Sequence, residues 1–267
     1  MEIDQKTQIE KAIDELTLFD DDLMSKVFDE NIEATKLLLN IILERNDIEI
    51  VWVKGQEELK SPIVGGRTVK LDIRAILGDA RQIDIEVQRN KTGAHVRRAR
   101  FHSSMLDSRM LREKQKFEEL KDSYVIFICE NDKFGKGLPI YHIDRYIRET
   151  RELVDDGSYI IYVNGAYEGD DDLGLLIHDF KCKKSSDIHY KELADGVKHF
   201  KETREGRDIM CDAFEKLADE RAEIIRLDAI KNNLQNLMDS SKIDLEEAMN
   251  ILKIADKDRE MLCEIMK

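Results

Sequence analysis

In the stretch "VKLDIRAILGDARQIDIEVQ", residues 69–88, two short apolar runs each carry an acid where a core strand would be oily. Asp72 interrupts the first run and Glu86 the second, with Gly78-Asp79 between them. The pattern predicts a β-hairpin closed by a three-residue loop at Gly78-Asp79-Ala80. That register sets Asp72 opposite Glu86 and Arg74 opposite Asp84. Side chains alternate along a strand, so Leu71, Ile73, Ala75 and Leu77 share one face with Ile83, Ile85 and Val87. The other face carries Lys70, Asp72, Arg74, Asp84, Glu86 and Gln88. Like charges directly opposed destabilise a strand pair, and the two carboxylates need compensation. On the residues alone two readings stand. Either the polar face is solvated and Lys70 and Arg74 balance the acids, or the acids hold a divalent cation. Mg²⁺ suits the second reading, because one or two carboxylates with waters and phosphate oxygens are its usual ligands.

A basic segment begins directly after the hairpin. Arg89, Lys91, Arg97, Arg98 and Arg100 lead it, further cations follow to Lys116, and only Asp107 and Glu113 oppose them. Such a segment suits a phosphate backbone, whose affinity for protein is mainly electrostatic. It equally suits a solvated helix paired with the acidic remainder of the chain. Other motifs point elsewhere less well. The six histidines lack a ligand spacing such as H-x₃-H, so no zinc site is expected. "FGKGLP" at 134–139 falls short of a phosphate loop. "EGDDDLG" at 168–174 reads as a helix cap, not a calcium loop.

The elements that must position these residues are legible from periodicity. "LMSKVFDENIEATKLLLNIILER" predicts one long helix after an acidic lead-in. "DIEIVWVKGQEEL" alternates Ile48, Ile50 and Trp52 against polar neighbours as a strand would. The hairpin follows a Pro/Gly loop, and a helical pattern runs on from "TGAHVRRARFHSSML". "SYVIFIC" is apolar throughout, as in a strand buried on both faces. "YHIDRYIRET" is a short helical or extended connector, and "SYIIYVNGAY" is a further strand. Beyond about residue 170 the periodicity is helical, with Asp244 as an N-cap three residues before Glu247. Helix, three strands, helix, strand predicts a mixed α/β sheet with helices against it.

Composition limits the class. The chain has 267 residues, is 42% hydrophobic and 37% charged, and carries a net charge of −14, which argues against non-specific coating of nucleic acid. Four scattered cysteines fit a reducing compartment rather than a disulfide framework. The acidic N-terminus lacks a signal-peptide pattern, and no apolar run is long enough to span a bilayer, so a soluble, cytoplasmic protein is expected.

An acid in one strand, a hairpin, and acid–x–polar in the next strand resembles the PD-(D/E)XK nuclease motif, carried here by "LD" at 71–72 and "EVQ" at 86–88. With "LLLNIIL", "RRARFHSSML", "YVIFI", "LGLLIHDF" and "YKELADGVKHFKE", the chain is similar to the transposase-like, recombination-promoting PD-(D/E)XK nucleases common in bacteria, over roughly residues 20 to 205. The resemblance implies a restriction-endonuclease-like core over residues 1–205 and a helical extension over 206–267. It implies Asp72 and Glu86 as ligands of Mg²⁺ (or Mn²⁺), DNA as the partner and phosphodiester hydrolysis as the reaction. The water-positioning residue, usually Lys, falls on Gln88, which holds water by hydrogen bonds but carries no charge. Arg98, before Phe101 and His102, would supply charge or bind phosphate, and Glu33 would be an accessory ligand. A dimer would suit double-strand cutting. The alternatives are a nuclease-fold protein that binds without cutting, and a nuclease acting on RNA.

Overall fold

The computed structural model describes residues 2–61, 63, 65–90 and 92–266. The acidic lead-in is itself a helix, α1 (Glu2–Glu15). The expected single long helix is two, α2 (Asp21–Phe28) and α3 (Ile32–Ile42). They break at a polar triplet: Glu30 adopts φ 57°, and the Asn31 side chain accepts from Ala34 N–H while donating to the Val27 carbonyl. Asp29, in the break, accepts from Gly55 N–H at 3.0 Å. A short polar side chain that satisfies free backbone groups competes effectively with continued helix.

Three strands follow: β1 (Ile50–Leu59), β2 (Val69–Leu77) and β3 (Gln82–Gln88). Helix α4 (Val96–Met110) then crosses over to β4 (Ser123–Cys129), which pairs parallel to β3. Beyond it come β5 (Ile140–Ile143), β6 (Arg145–Tyr146), β7 (Leu153–Val154) and β8 (Ser158–Asn164). The connector "YHIDRYIRET" is thus extended where it is regular. The main sheet has six strands in the order β1-β2-β3-β4-β8-β5, and β6 pairs with β7 separately. The architecture is the expected mixed α/β sheet with helices, and further helices follow it toward the C-terminus.

The hairpin has the expected register: Arg74 pairs with Asp84, Ile73 with Ile85, and Leu77 N–H reaches the Arg81 carbonyl across a loop in which Ala80 takes φ 70°. β1 departs from its expected alternation. The register shifts between Ile50 and Trp52, so Val53 is buried and Trp52 half-buried, with the Arg74 guanidinium 5.6 Å from its ring. At Gly55 a Cβ would stand 2.4 Å from the Ser25 carbonyl oxygen, so only glycine lets α2 lie this close to β1.

The sheet is covered on both faces. β3 and β4 are buried along almost their whole length, with Ile83, Ile85 and Val87 on one side of β3. Under α4 the core gathers Ala99, Met105 and Leu106 with Val125, Phe127 and Tyr162. Helices α5 (Asp172–Lys181) and α6 (Lys191–Glu202) follow, Asp171 capping α5 through Gly174 N–H at 2.8 Å. The chain divides into two compact units, Met1–Met210 and Cys211–Lys267. The second is helical: α7 (Arg204–Ser241) runs into it, and α8 (Leu245–Ile251) and α9 (Asp256–Ile265) complete it around Leu227, Leu234, Met249 and Leu262. There Asp244 caps α8 by accepting from Glu247 N–H at 2.8 Å.

Candidate active site

The acids that β3 contributes to the polar face are not solvated. Asp84 and Glu86 are both 0% exposed, because α4 covers the face of β3 that carries them. Ladder pairing between β2 and β3 runs only as far as Ile73 and Ile85. Past that point carboxylates replace backbone acceptors: Glu86 Oε1 accepts from Asp72 N–H at 3.1 Å, and Asp72 Oδ2 accepts from Val87 N–H at 2.9 Å. The sheet therefore frays into two crossed side-chain bonds at the acid pair expected from the sequence.

Helix α4 supplies the remaining groups. Arg98 and His102 lie one turn apart and face the same way. Arg98 Nη2 donates to Glu86 Oε2, and its guanidinium stands 5.6 Å from the Phe127 ring. His102, 1% exposed, sets Nδ1 2.8 Å from Asp84 Oδ2 and 3.8 Å from Glu86 Oε1, while Nε2 accepts from Arg98 Nε at 3.4 Å. With Nε2 an acceptor, the proton sits on Nδ1 and the ring is neutral. Burial pushes the His102 pKa down, in agreement. Among the described residues, Arg98 is thus the one full positive charge ion-paired to these acids.

The electrostatics follow from that shortage. Burial, then the charge of Glu86, raises the Asp72 pKa well above the usual carboxylate range. Burial, then Asp72, does the same to Asp84. Burial, then Asp84, lifts Glu86 to about 8. Asp84 Oδ1 is buried without a hydrogen-bond partner. Three crowded carboxylates, one with an orphaned oxygen, form a donor set that fits a hard divalent cation. One ligand atom each of Asp84, Glu86 and His102 lies within 4.8 Å of the other two.

The other expected residues divide. Gln88 sits two residues beyond Glu86, its amide oxygen so close to Gly93 that a Cβ there would stand 1.7 Å from it. Arg97 and Arg100 line a cleft of about 660 Å³ together with Arg98, Arg67 and Lys70, and no described residue lining it is acidic. Arg98 and His102, which contact Glu86 and Asp84, thus sit between this cleft and the buried acids. Arg89 does not join it: its guanidinium pairs with Asp20 at 2.7 Å and donates to Thr17 Oγ1 at 3.0 Å, tying the end of β3 to the segment before α2. Lys91 lies outside the described residues. Glu33 is exposed on the first turn of α3 and lines a different cleft, with Lys26 and His199.

The acid that approaches from the first helices is instead Asp21, at the start of α2. Its charge acts on Asp72, and burial followed by the neighbouring Asp22 raises its own pKa. Sequence reasoning missed it, as no local spacing ties Asp21 to a strand fifty residues on. It also missed Arg67. Arg74 lies opposite Asp84 in the ladder as expected, and its guanidinium reaches Glu57 at 3.0 Å and Gln82 Oε1 at 2.7 Å. The i, i+2 spacing of Asp84 and Glu86 and the i, i+4 spacing of Arg98 and His102 were the signals available.

A family model described as "PD-(D/E)XK nuclease family transposase" matches residues 23–164, more than half of the chain and every element of this site from β2 to β4. The chain belongs to that family. The nuclease-family stretch ends with β8, so α5 and all later helices lie beyond it. No curated protein and no solved structure matches the chain. Among the described residues no helix is long and apolar enough to cross a membrane.

Proposed function

We propose that this PD-(D/E)XK protein is a metal-dependent DNA endonuclease that hydrolyses phosphodiester bonds. The observation that carries the reading is the meeting of opposites: three desolvated carboxylates, two of them bonded to Arg98 and His102, which line a cleft whose charged lining is wholly cationic. Asp72 and Glu86, with Asp84 beside them, would hold Mg²⁺ or Mn²⁺. When bound, such an ion polarises the scissile phosphate and lowers the pKa of water. The rest falls to side chains. Arg97, Arg100, Arg67 and Lys70 hold the phosphate backbone, and the Gln88 amide oxygen orients a water by accepting a hydrogen bond from it. Arg98 places a charge against a non-bridging phosphate oxygen, a role that Gln88 cannot fill. Two copies of a single-site subunit would be required to cut both strands, and the free cysteines suit a reducing cytoplasm.

A second reading, a nuclease fold that binds without cutting, draws on one contact. Arg98 already occupies Glu86 Oε2, so an ion must compete with a salt bridge. Incubating supercoiled plasmid with Mg²⁺, Mn²⁺ or EDTA, beside Asp72→Ala, separates the two. Metal-dependent nicking, reduced at least about a thousandfold in the variant, is expected (about 4 kcal/mol). Retention of DNA on a gel with no cleavage by folded protein establishes the binding module instead.

A further inference from the structure

The nuclease centre contains one donor that a carboxylate-only metal site leaves idle. Asp84 and Glu86, two apart on β3, share a face of that strand, and α4 brings His102 against both. The imidazole rests on Phe127, ring centroids 6.1 Å apart. Its Nδ1 lies 2.8 Å from Asp84 Oδ2 and 3.8 Å from Glu86 Oε1. These three residues form a group whose donor atoms lie close enough to hold one ion. All three are shut off from solvent, Asp84 and Glu86 at 0% exposure and His102 at 1%. None of the other five histidines is buried.

A hydrogen bond from Nδ1–H to Asp84 does not account for the whole arrangement. Asp84 Oδ1 stays buried without a partner, although buried polar atoms are ordinarily paired. The same imidazole nitrogen also faces a second carboxylate, to which it makes no hydrogen bond. A shared ion answers both points. Two ligands at about 2.1 Å from one ion stand about 3.0 Å apart at a right angle and about 3.4 Å apart in a tetrahedron. The distances from Nδ1, 2.8 Å and 3.8 Å, bracket those values.

We propose that His102 Nδ1 joins Asp84 and Glu86 as a metal ligand, making the centre a mixed nitrogen–oxygen site that selects a divalent first-row transition ion such as Mn²⁺ over Mg²⁺. The inference rests on the metal-dependent reading above and narrows its ion. Mg²⁺ is held by oxygen ligands, whereas imidazole suits transition ions and carboxylates suit Mn²⁺ as well. Ligation asks for one rearrangement. Nδ1 gives up its proton and Nε2 takes one from solvent, so the ring stays neutral. Nε2 then no longer accepts from Arg98 Nε, and the same arginine leaves Glu86 Oε2 to the ion. Arg98 has a place to go, because its side chain is 34% exposed and lines the cationic cleft. Spacing alone cannot reveal this ligand, since a strand and a helix bring it together with its partners.

The test is pulsed electron paramagnetic resonance of one equivalent of Mn²⁺ bound to the full-length protein, with Mn²⁺ and Mg²⁺ affinities measured by competition. A directly bound imidazole nitrogen modulates the electron-spin echo, and carboxylate oxygens do not. The parent is expected to show the nitrogen modulation. His102→Asn, whose amide can still donate to Asp84, should lose it and lower the preference for Mn²⁺ over Mg²⁺ about tenfold or more. Replacing the other five histidines together by Asn should leave the modulation in place, and that variant carries the test should His102→Asn not fold. Bound Mn²⁺ without the modulation in the parent overturns His102 as a ligand and leaves the metal centre standing. So does modulation that survives in His102→Asn or vanishes with the other five histidines. A folded parent that binds neither ion overturns the metal-dependent reading itself, and this ligand with it.

Discussion

Two buried aspartates set the molecule's two kinds of polar interior side by side. Asp179 and Asp84 are both 0% exposed. Asp179 is met on every side, by the His189 and Tyr190 N–H groups and by two imidazoles. Asp84 has His102 on one oxygen and nothing on the other. Of its neighbours, Glu86 pairs with the Arg98 guanidinium, while Asp72 accepts only from the Val87 N–H. Buried carboxylates are ordinarily satisfied, and a satisfied one specifies a turn while a starved one destabilises its surroundings. The first arrangement holds the α5–α6 connection in place. The second is a deficit kept in the core, and a deficit of negative charge compensation is what a cation corrects.

The sharpest way to break this contrast is to neutralise one acid in each place. Asp179→Asn turns an amide N–H₂ toward backbone donors and is expected to cost about 3 kcal/mol in urea unfolding. Glu86→Gln keeps an acceptor for Asp72 N–H and relieves the crowding of three carboxylates while giving up the ion pair with Arg98, so stability should stay within about 1 kcal/mol of the parent or rise. Equal losses in the two variants would mean that the acids are alike and the contrast is false.

Protons sharpen it next. The folded pKa of Glu86 is about 8, against an ordinary value near 4.5. The native state therefore holds a proton that the unfolded chain has lost. Stability falls as pH rises between those values, by up to about 1.4 kcal/mol per pH unit for one group. Melting of the metal-free protein should move down from pH 5.5 to pH 8. Mg²⁺ should restore more of the loss at pH 8 than at pH 5.5, because metal and proton compete for the same oxygens. A melting point that does not move with pH, or a metal effect independent of it, contradicts the deficit.

The smallest effect concerns the cleft. Arg97→Ala or Arg100→Ala should each lower the slope of log affinity for DNA against log salt by about 1, whereas Arg89→Ala should leave it unchanged. The distinction comes from pairing, since Arg89 is already committed to Asp20.

That last point shows where sequence reading stops. The hairpin is legible because alternation and a short turn fix a register, and that register alone brings Asp72 and Glu86 together. Arg98 was found through resemblance, and α4 does bring it to Glu86. Contacts between distant segments left no trace in spacing: Asp20 on Arg89, Asp21 near Asp72, Arg67 beside Arg97. The split between α2 and α3 was readable in principle from Asp29-Glu30-Asn31, yet apolar periodicity on both sides masked it. Glu33 was placed by analogy with a helix whose real counterpart to the site is the one before it.

The crossed bonds at the frayed end of the hairpin give the protein a built-in gauge. Where the β2–β3 ladder has ended, the Asp72 and Val87 amides donate to carboxylate oxygens. Any occupant that draws those oxygens away loosens the two amides, while the paired amides of Ile73 and Ile85 keep their ladder. Hydrogen–deuterium exchange along this one hairpin would then register filling of the centre residue by residue, with the neighbouring rungs as internal reference.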